Sequence, residues 1–321
     1  MRKLHDIDLK LLRGFQAIAE AGGIAGAQVT LNVSQSTLST QLADLEARLG
    51  FRLCRRGRGG FALTDEGQQL LDAMEDLFAA ADRFQNATAT ISGEMRGVLR
   101  IGIMDAMLAN HAWPLPDVLG RFSARAPHTH VDLSLVSPAA MEGLVLDGKR
   151  DAVIGPFPEK RAGLSYLPLF QERHSLYAAR HHPLAQEEAI TFDTLSRHAL
   201  IVTAGEMRRF PFIRAGRAKS GAEDRENIYP AATVDQMETH AILIRSGRFV
   251  GFLPDYYGAS LTDLAVLPTG KELQYLSPIY LVSRKGGDDN LILRRFLKDV
   301  ADQPLIAGPL TRGGAVVPLA E

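Results

Sequence analysis

Leucines recur at positions 38, 42, 45 and 49, spacings of four, three and four that place them on one face of a helix. Ser34 stands just ahead of them, with a hydroxyl able to accept a bond from the free N–H groups of the first turn, so the helix is predicted to begin there. With Leu38 inward and about 100° per residue, Ser36, Thr40 and Ala43 point outward, Thr37 flanks them, and Gln35 lies at the exposed N-terminal end. An apolar-periodic helix starting near residue 15 and a second, shorter helix precede it. A different period follows. Leu70, Met74, Leu77, Ala81, Phe84, Thr88 and Ile91 alternate by four and three along one long helix over about 65–91, a heptad seam that asks for a partner helix or for the chain's own second domain. After Ser92-Gly93-Glu94 the pattern changes to short β-branched runs at 98–103, 131–136, 152–155, 175–178, 199–202, 249–254 and 279–282, with helical stretches between them. This order predicts an α/β fold with largely parallel sheets.

The run after the leucine-faced helix changes the picture. Phe51 to Gly60 holds Arg52, Arg55, Arg56 and Arg58 and no acid, on a glycine-rich turn that leads to Phe61-Ala62-Leu63. A helix-turn-helix followed by a basic wing is the layout this order describes. Small hydroxyls and an amide at Ser34, Gln35, Ser36, Thr37 and Thr40 suit base edges in the major groove, where Gln pairs bidentately with adenine. The arginines suit phosphates, which fix register without reading sequence. Residues 1–60 carry nine Lys and Arg against five Asp and Glu, and the rest of the chain 27 against 32, so the formal net charge of −1 hides a basic head on an acidic body.

Length and composition bound the rest. At 321 residues and 46% hydrophobic, the chain has room for two or more domains with sizeable cores. No apolar stretch is long enough to span a bilayer, and the first eight residues are broken by charge, so a cytoplasmic protein without membrane partners is expected. The single cysteine, Cys54, excludes an internal disulfide. His128-Thr129-His130 and His181-His182 lack the cysteines or convergent carboxylates of a metal site and are read as surface or half-buried residues, so no metal is expected. No nucleophile elbow or phosphate-cradling glycine loop is present, which argues against an enzyme and against a bound cofactor.

The chain resembles the LysR-type transcriptional regulators. The resemblance rests on Phe15, Ala19-Glu20, Ala27, Leu31, Val33-Ser34-Gln35, Leu38-Ser39, Gln41-Leu42, Leu45-Glu46, Leu49-Gly50, Arg52-Leu53, Arg55 and Leu63-Thr64-Asp65-Glu66-Gly67, and further on His182-Pro183-Leu184 and 247–254. It departs from the family at Gly23-Ile24, Gln28, Ser36, Thr40 and Cys54. Position 40 is commonly basic, so affinity here is expected to lean on Arg52, Arg55, Arg56 and Arg58. The resemblance implies an all-α winged helix-turn-helix over 1–64, a linker helix over 65–93 that dimerises, and a periplasmic-binding-protein-like module of two α/β subdomains over 94–303. A tail follows at 304–321. It further implies a homodimer, assembling into a tetramer, on an inverted-repeat operator in double-stranded DNA, with RNA polymerase as a further partner and a small-molecule effector between the subdomains.

Ligands of open α/β sheets sit beyond the carboxyl ends of the strands. That rule selects Asp105, Ala106 and Met107 after the first run, Ser137 and Pro138 after the second, Gly155 and Phe157 around the third, and Thr203 and Ala204 after 199–202. Val234 and Phe252 are added as walls. Relatives often carry Ser or Thr near 105 and 106 to hold an effector carboxylate, so Asp105 either engages a basic or hydroxyl group of the effector or caps a helix, with the strand-to-helix junction favouring the cap. Two other readings stay open: a binding protein or enzyme whose N-terminal helices serve protein contacts, and a regulator without effector, its crevice filled by Met104, Met107 and Phe252.

Overall fold

The computed structural model describes residues 9–57, 60–111, 113–215, 227–287, 290–303 and 316–317, and the chain divides into two compact units, 1–82 and 83–321. In the first unit α1 (Leu9–Glu20), α2 (Ile24–Leu31) and α3 (Gln35–Leu49) precede a two-stranded wing, β1 (Cys54–Gly57) and β2 (Gly60–Leu63), and the long helix α4 (Asp65–Ile91) begins directly after it. Phe15, Ile18, Ala27, Leu38, Leu42, Leu45, Leu53 and Met74 form one apolar core. Thr64 joins wing to helix: its hydroxyl donates to the Arg52 carbonyl at 2.7 Å and accepts the Gly67 N–H at 2.9 Å. Gly67 is required here, because a Cβ at that position would stand 2.2 Å from the Leu53 carbonyl oxygen.

The heptad seam divides along its length. Met74 is buried in the core of the head, where Leu70 and Leu77 also pack, so the first half of the seam is used within the head. Phe84 and Ile91 are 70% and 87% exposed, and Thr88 is exposed with them.

The second unit opens with the last turns of α4. It continues through β3 (Arg96–Ile103), α5 (Leu115–Arg125), β4 (His128–Leu135), α6 (Pro138–Leu146), β5 (Ala152–Pro156) and β6 (Leu164–Ala179). Then come α7 (Phe192–Ser196), β7 (Ala199–Val202), α8 (Ala204–Arg209), β8 (Ala232–Thr233), α9 (Met237–Arg245), β9 (Phe249–Pro254), α10 (Asp255–Ser260) and β10 (Leu264–Val266), followed by β11 (Tyr275–Arg284), α11 (Leu291–Ala301) and β12 (Val316–Val317). The strand order is β4-β3-β5-β11-β6-β9-β7-β8, with β10 and β12 also on β6.

Each lobe is built on three parallel strands, β4-β3-β5 and β9-β7-β8, but β6 and β11 run antiparallel to their neighbours and pass from one lobe to the other. The expectation of largely parallel sheets therefore holds within the lobes and fails at the crossing. The sequence pattern marked only 175–178 of β6, because Gln171-Glu172-Arg173-His174 interrupts the apolar signal where the strand leaves one core for the other. Trp113, Phe122, Phe170 and Phe296 fill the first lobe, and Phe210, Phe252, Leu200 and Val250 the second.

The end of α4 is bonded to the first lobe. The buried Asn86 side chain pairs with Val98 as a neighbouring strand would, accepting its N–H at 3.2 Å and donating to its carbonyl at 2.9 Å. Gly97, at φ 146°, leaves the space, since a Cβ would lie 1.9 Å from Asn86 Oδ1. Arg83 donates to the Gly148 carbonyl and Thr90 Oγ1 accepts the Leu291 N–H. Asn86→Ala leaves both Val98 groups without their partner, at a cost of about 2 kcal/mol. The α/β unit is expected to melt roughly 4–8 °C lower, and amides over 83–91 to exchange faster in a hydrogen-exchange experiment. Unchanged exchange there would show that Asn86 does not hold the helix end.

Candidate nucleic-acid interface and effector cleft

Ser34 caps α3 as expected: it is extended, at φ −62° and ψ 148°, and its Oγ accepts the Thr37 N–H at 3.2 Å. The helix ends at Gly50 in the left-handed region, whose N–H donates to the Glu46 carbonyl at 2.8 Å. Leu38, Leu42 and Leu45 are buried and Leu49 half-buried, while Gln35, Ser36, Thr37, Thr40 and Ala43 are exposed. Their hydroxyls are already engaged along the helix. Ser34 Oγ lies 2.9 Å from Ser36 Oγ and 2.8 Å from Thr37 Oγ1, and Thr40 Oγ1 donates to the Ser36 carbonyl at 3.0 Å. Gln35 is different: among the described residues its amide has no partner.

The wing begins with a contact that sequence reading did not select. Glu46, buried on the inner side of α3, accepts the N–H of Leu53 at 2.8 Å and of Cys54 at 3.4 Å through Oε1, and the Arg52 guanidinium at 2.8 Å through Oε2. Its signal was present, since an acid at 46 falls on the apolar stripe of Leu42, Leu45 and Leu49. Arg52 remains largely exposed while paired. Arg55 is exposed on β1, opposite Ala62. Arg58 lies outside the described residues, as does the side chain of Arg56. Cys54 is buried in the core of the head.

In the second unit, Asp105 caps a helix, but not one at its own strand end. Its Oδ2 accepts the Glu238 N–H at 2.8 Å, at the start of α9 in the other lobe. Burial raises its pKa above the ordinary carboxylate value, the bond from Glu238 opposes that, and the Glu238 charge adds to it. Ala106 stands in the left-handed region at φ 62°, and Met107 is buried in the first lobe's core. Ser137 precedes α6 half-buried and without a side-chain cap bond, and Pro138 is the helix's first residue. Thr203 and Glu206 form a reciprocal capping box, so the Thr203 hydroxyl is occupied, and Ala204 is exposed. Val234 is half-buried.

The third candidate strand needs correcting. Gly155 is buried, with Met141 where its Cβ would stand, and Phe157 belongs to the first lobe's core. Phe252 is likewise no wall: it faces into the second lobe, stacked on Phe210 at 5.1 Å and fully buried. The inward direction of alternate residues on β9 accounts for this. Met104 and Met107 lie in one core and Phe252 in the other, so the three do not fill a single crevice.

Where β6 passes between the lobes, a buried polar group gathers that sequence reading missed. Glu172 Oε1 lies 2.9 Å from His174 Nε2, and Tyr256 donates to Glu172 Oε2 at 2.7 Å. Tyr275 stacks on His174 at 4.4 Å and donates to Glu206 at 2.9 Å. Burial raises Glu206 and pushes both tyrosines well up, so the tyrosines stay protonated donors. The available signal was the polar run from Gln171 to His174, in which Glu172 and His174 fall on the same side of the strand.

Elsewhere, His128 and His130 are exposed, whereas His182 is buried and caps the turn at Pro183–Gln186. Among the described residues no group of three His, Cys, Asp or Glu could hold a metal ion, and no helix is long and apolar enough to cross a membrane.

A winged helix-turn-helix joined to a two-lobed α/β module defines a class of ligand-responsive DNA-binding proteins. The family model described as the bacterial regulatory helix-turn-helix protein, lysR family, matches residues 9–68, and that of the LysR substrate binding domain matches 92–304. The chain is 33% identical over 304 residues to the HTH-type transcriptional activator BauR of Pseudomonas aeruginosa, covering 93% of this chain and 96% of that one. In fold it is similar to CbnR, a LysR family transcriptional regulator, at a TM-score of 0.63 and 21% identity over 92% of this chain and 98% of that one. The structure of CbnR with its target DNA matches at 0.63 and 23%, covering 92% and 99%. The chain belongs to the LysR family: it is a transcriptional regulator with a helix-turn-helix DNA-binding domain and an effector-binding domain, and not an enzyme.

Proposed function

We propose that this regulator reads an inverted-repeat operator through α3, with Gln35 as the principal base reader and Arg55, Arg56 and Arg58 on the phosphates. The observation that carries this reading is the free Gln35 amide at the exposed start of a helix whose neighbouring hydroxyls are internally bonded. Arg52, paired with Glu46, keeps donors for one phosphate while it positions the wing. Residues 1–64 form the DNA head, 65–93 the linker, 94–303 the effector module and 304–321 a tail. The exposed second half of the α4 seam, Phe84, Thr88 and Ile91, supports pairing with a second copy, and a tetramer of two such dimers extends it. Binding to chromosomal operators supports a cytoplasmic location.

The effector is placed between the lobes, bordered by Asp105, Ala106, Ser137, Pro138, Thr203, Ala204 and Val234. It acts by binding one arrangement of the lobes better than another and so biasing how the heads are held on DNA. The presence of a bonded polar group on the crossing strand supports this, since a hinge motion must rearrange it.

Selection of bound sequences from a random DNA pool tests the reading of α3. The native chain is expected to enrich an inverted repeat, and Gln35→Ala to lose preference at one position per half-site, worth about 1–3 kcal/mol. Arg55→Ala should weaken all sequences alike and reduce the slope of log affinity against log salt by about 0.9 per site. A repeat that survives Gln35→Ala unchanged would move base reading to the hydroxyls.

A further inference from the structure

We propose that Asp105 is an internal ligand of the effector cleft: a carboxylate carried by the first lobe holds the N-terminus of α9 in the second, joining the lobes without an effector and denying that position to an effector's own carboxylate. The inference deepens the placing of the effector between the lobes and rests on that placing.

Four observations meet at this residue. Asp105 follows β3 in the first lobe, while α9 lies between β8 and β9 in the second, so the bond of 2.8 Å to the Glu238 N–H passes from one lobe to the other. The residue preceding α9, Gln236, makes no side-chain cap bond, which leaves the first N–H groups of that helix to an outside acceptor. Asp105 is only 7% exposed, and among the described residues no lysine or arginine forms an ion pair with it; its compensation is the backbone of Met237 and Glu238. Lastly, Ala106 takes a left-handed conformation that a non-glycine residue adopts at a cost, and the chain accepts it in the turn immediately after the bonded carboxylate.

The chemistry fits a contact that holds and yet releases. A carboxylate at a helix N-terminus is a favourable pairing. Burial and the Glu238 charge act against it, so the charged form is held under opposition. An incoming group that bonds to the same N–H groups, or that engages Asp105 itself, displaces the contact and frees the lobes to move.

The interlobe distance reads this directly in the DNA-free full-length chain. Nitroxides are attached at Asp117→Cys on α5 and Asp193→Cys on α7, in a Cys54→Ser background diluted with excess unlabelled chain, and distances are measured by pulsed electron resonance. The native contact should give a narrow distribution. Asp105→Ala should broaden it and shift its mean by more than about 2 Å, the scale of a hinge rearrangement. Glu238→Pro, which deletes the donor N–H in a first turn that tolerates proline, should do the same, and Glu238→Gln should not. Sodium acetate should narrow the Asp105→Ala distribution again and leave the native one unmoved. A native-like distribution in both Asp105→Ala and Glu238→Pro overturns the proposal. So does a shift in Asp105→Ala that Glu238→Pro does not share, or an equal response of native and variant chains to acetate. If Asp105→Ala does not fold, the Glu238→Pro and Glu238→Gln pair decides alone. None of these readings uses an effector or DNA, so failure of the latch leaves the placing of the effector untouched.

Discussion

Replacing Glu46 by alanine is expected to loosen the wing from the recognition helix and to lower the stability of the DNA-binding head by about 3 kcal/mol. The magnitude follows from what the carboxylate does. It is buried and accepts two backbone N–H groups, those of Leu53 and Cys54, at the point where the chain leaves α3 for β1. Removing it takes the Oε1 acceptor from both N–H groups beside Leu53, which is itself fully buried. The Arg52 pairing adds little to this sum, because that guanidinium is largely exposed and water takes over its bonds. For a unit of about 80 residues, the loss corresponds to a melting midpoint roughly 12–24 °C lower. Specific DNA affinity should fall at least about tenfold even below that midpoint, since Arg52 and Arg55 are no longer held in register with α3. Glu46→Gln, which keeps one acceptor oxygen, should lie between the two. Circular dichroism melts of the three chains and operator binding at one salt concentration supply the measurements. A Glu46→Ala head that melts within about 2 °C of the native one would show that the Leu53 and Cys54 N–H groups find other acceptors.

Glu46 also shows where sequence reading reached and where it stopped. Periodicity located α3, its cap at Ser34 and its inward leucines, because each of those depends on local spacing alone. The strands at 199–202 and 249–254 were legible for the same reason: they are short, apolar and enclosed on both sides. Contacts between segments distant in the chain were not. Asp105 looked like a cap for its own junction, yet its partner is 133 residues away. Glu172 and His174 looked like an interruption, and they are the polar centre of the crossing strand. Phe157 was placed on the crevice by strand-end position and Phe252 as a wall from a later strand, but which side of a strand faces a core depends on register and lobe packing that an apolar run does not reveal. The seam of α4 was found as a pattern, while its division between the head's own core and an exposed half follows from where the wing ends and the helix begins.

Acidification should destabilise the α/β module through His240. This residue sits on α9, fully buried, with Nε2 3.3 Å from the Ile201 carbonyl, and Gly251 leaves it room, since a Cβ there would stand 2.4 Å from Nε2. Nδ1 has no partner among the described residues, so a second proton on the ring would be buried without an acceptor. Burial first, and then the nearby His174, lower its pKa from 6.5 to about 4, against the pull of the Ile201 carbonyl. The folded chain therefore holds a neutral ring where the unfolded chain takes up a proton. Stability is complete above the unfolded value of 6.5, falls as pH drops below it, and reaches its full loss near the folded value of about 4. At about 1.4 kcal/mol per pH unit, the loss is about 2 kcal/mol by pH 5 and about 3 kcal/mol in full. Glu206, Asp255 and Asp151, whose pKa values burial raises, act in the opposite direction as they protonate, so the native chain alone does not isolate the histidine. Comparison with His240→Gln does, because the amide carries no charge at any of these pH values and can still donate to Ile201. The difference in urea-unfolding free energy between native and variant chains is expected to shrink by about 2 kcal/mol from pH 7.5 to pH 5. A difference that stays flat within about 0.5 kcal/mol would mean that the folded ring accepts its second proton as readily as the unfolded one. His240 would then be reached by water on its Nδ1 side, at the very helix whose N-terminus Asp105 holds.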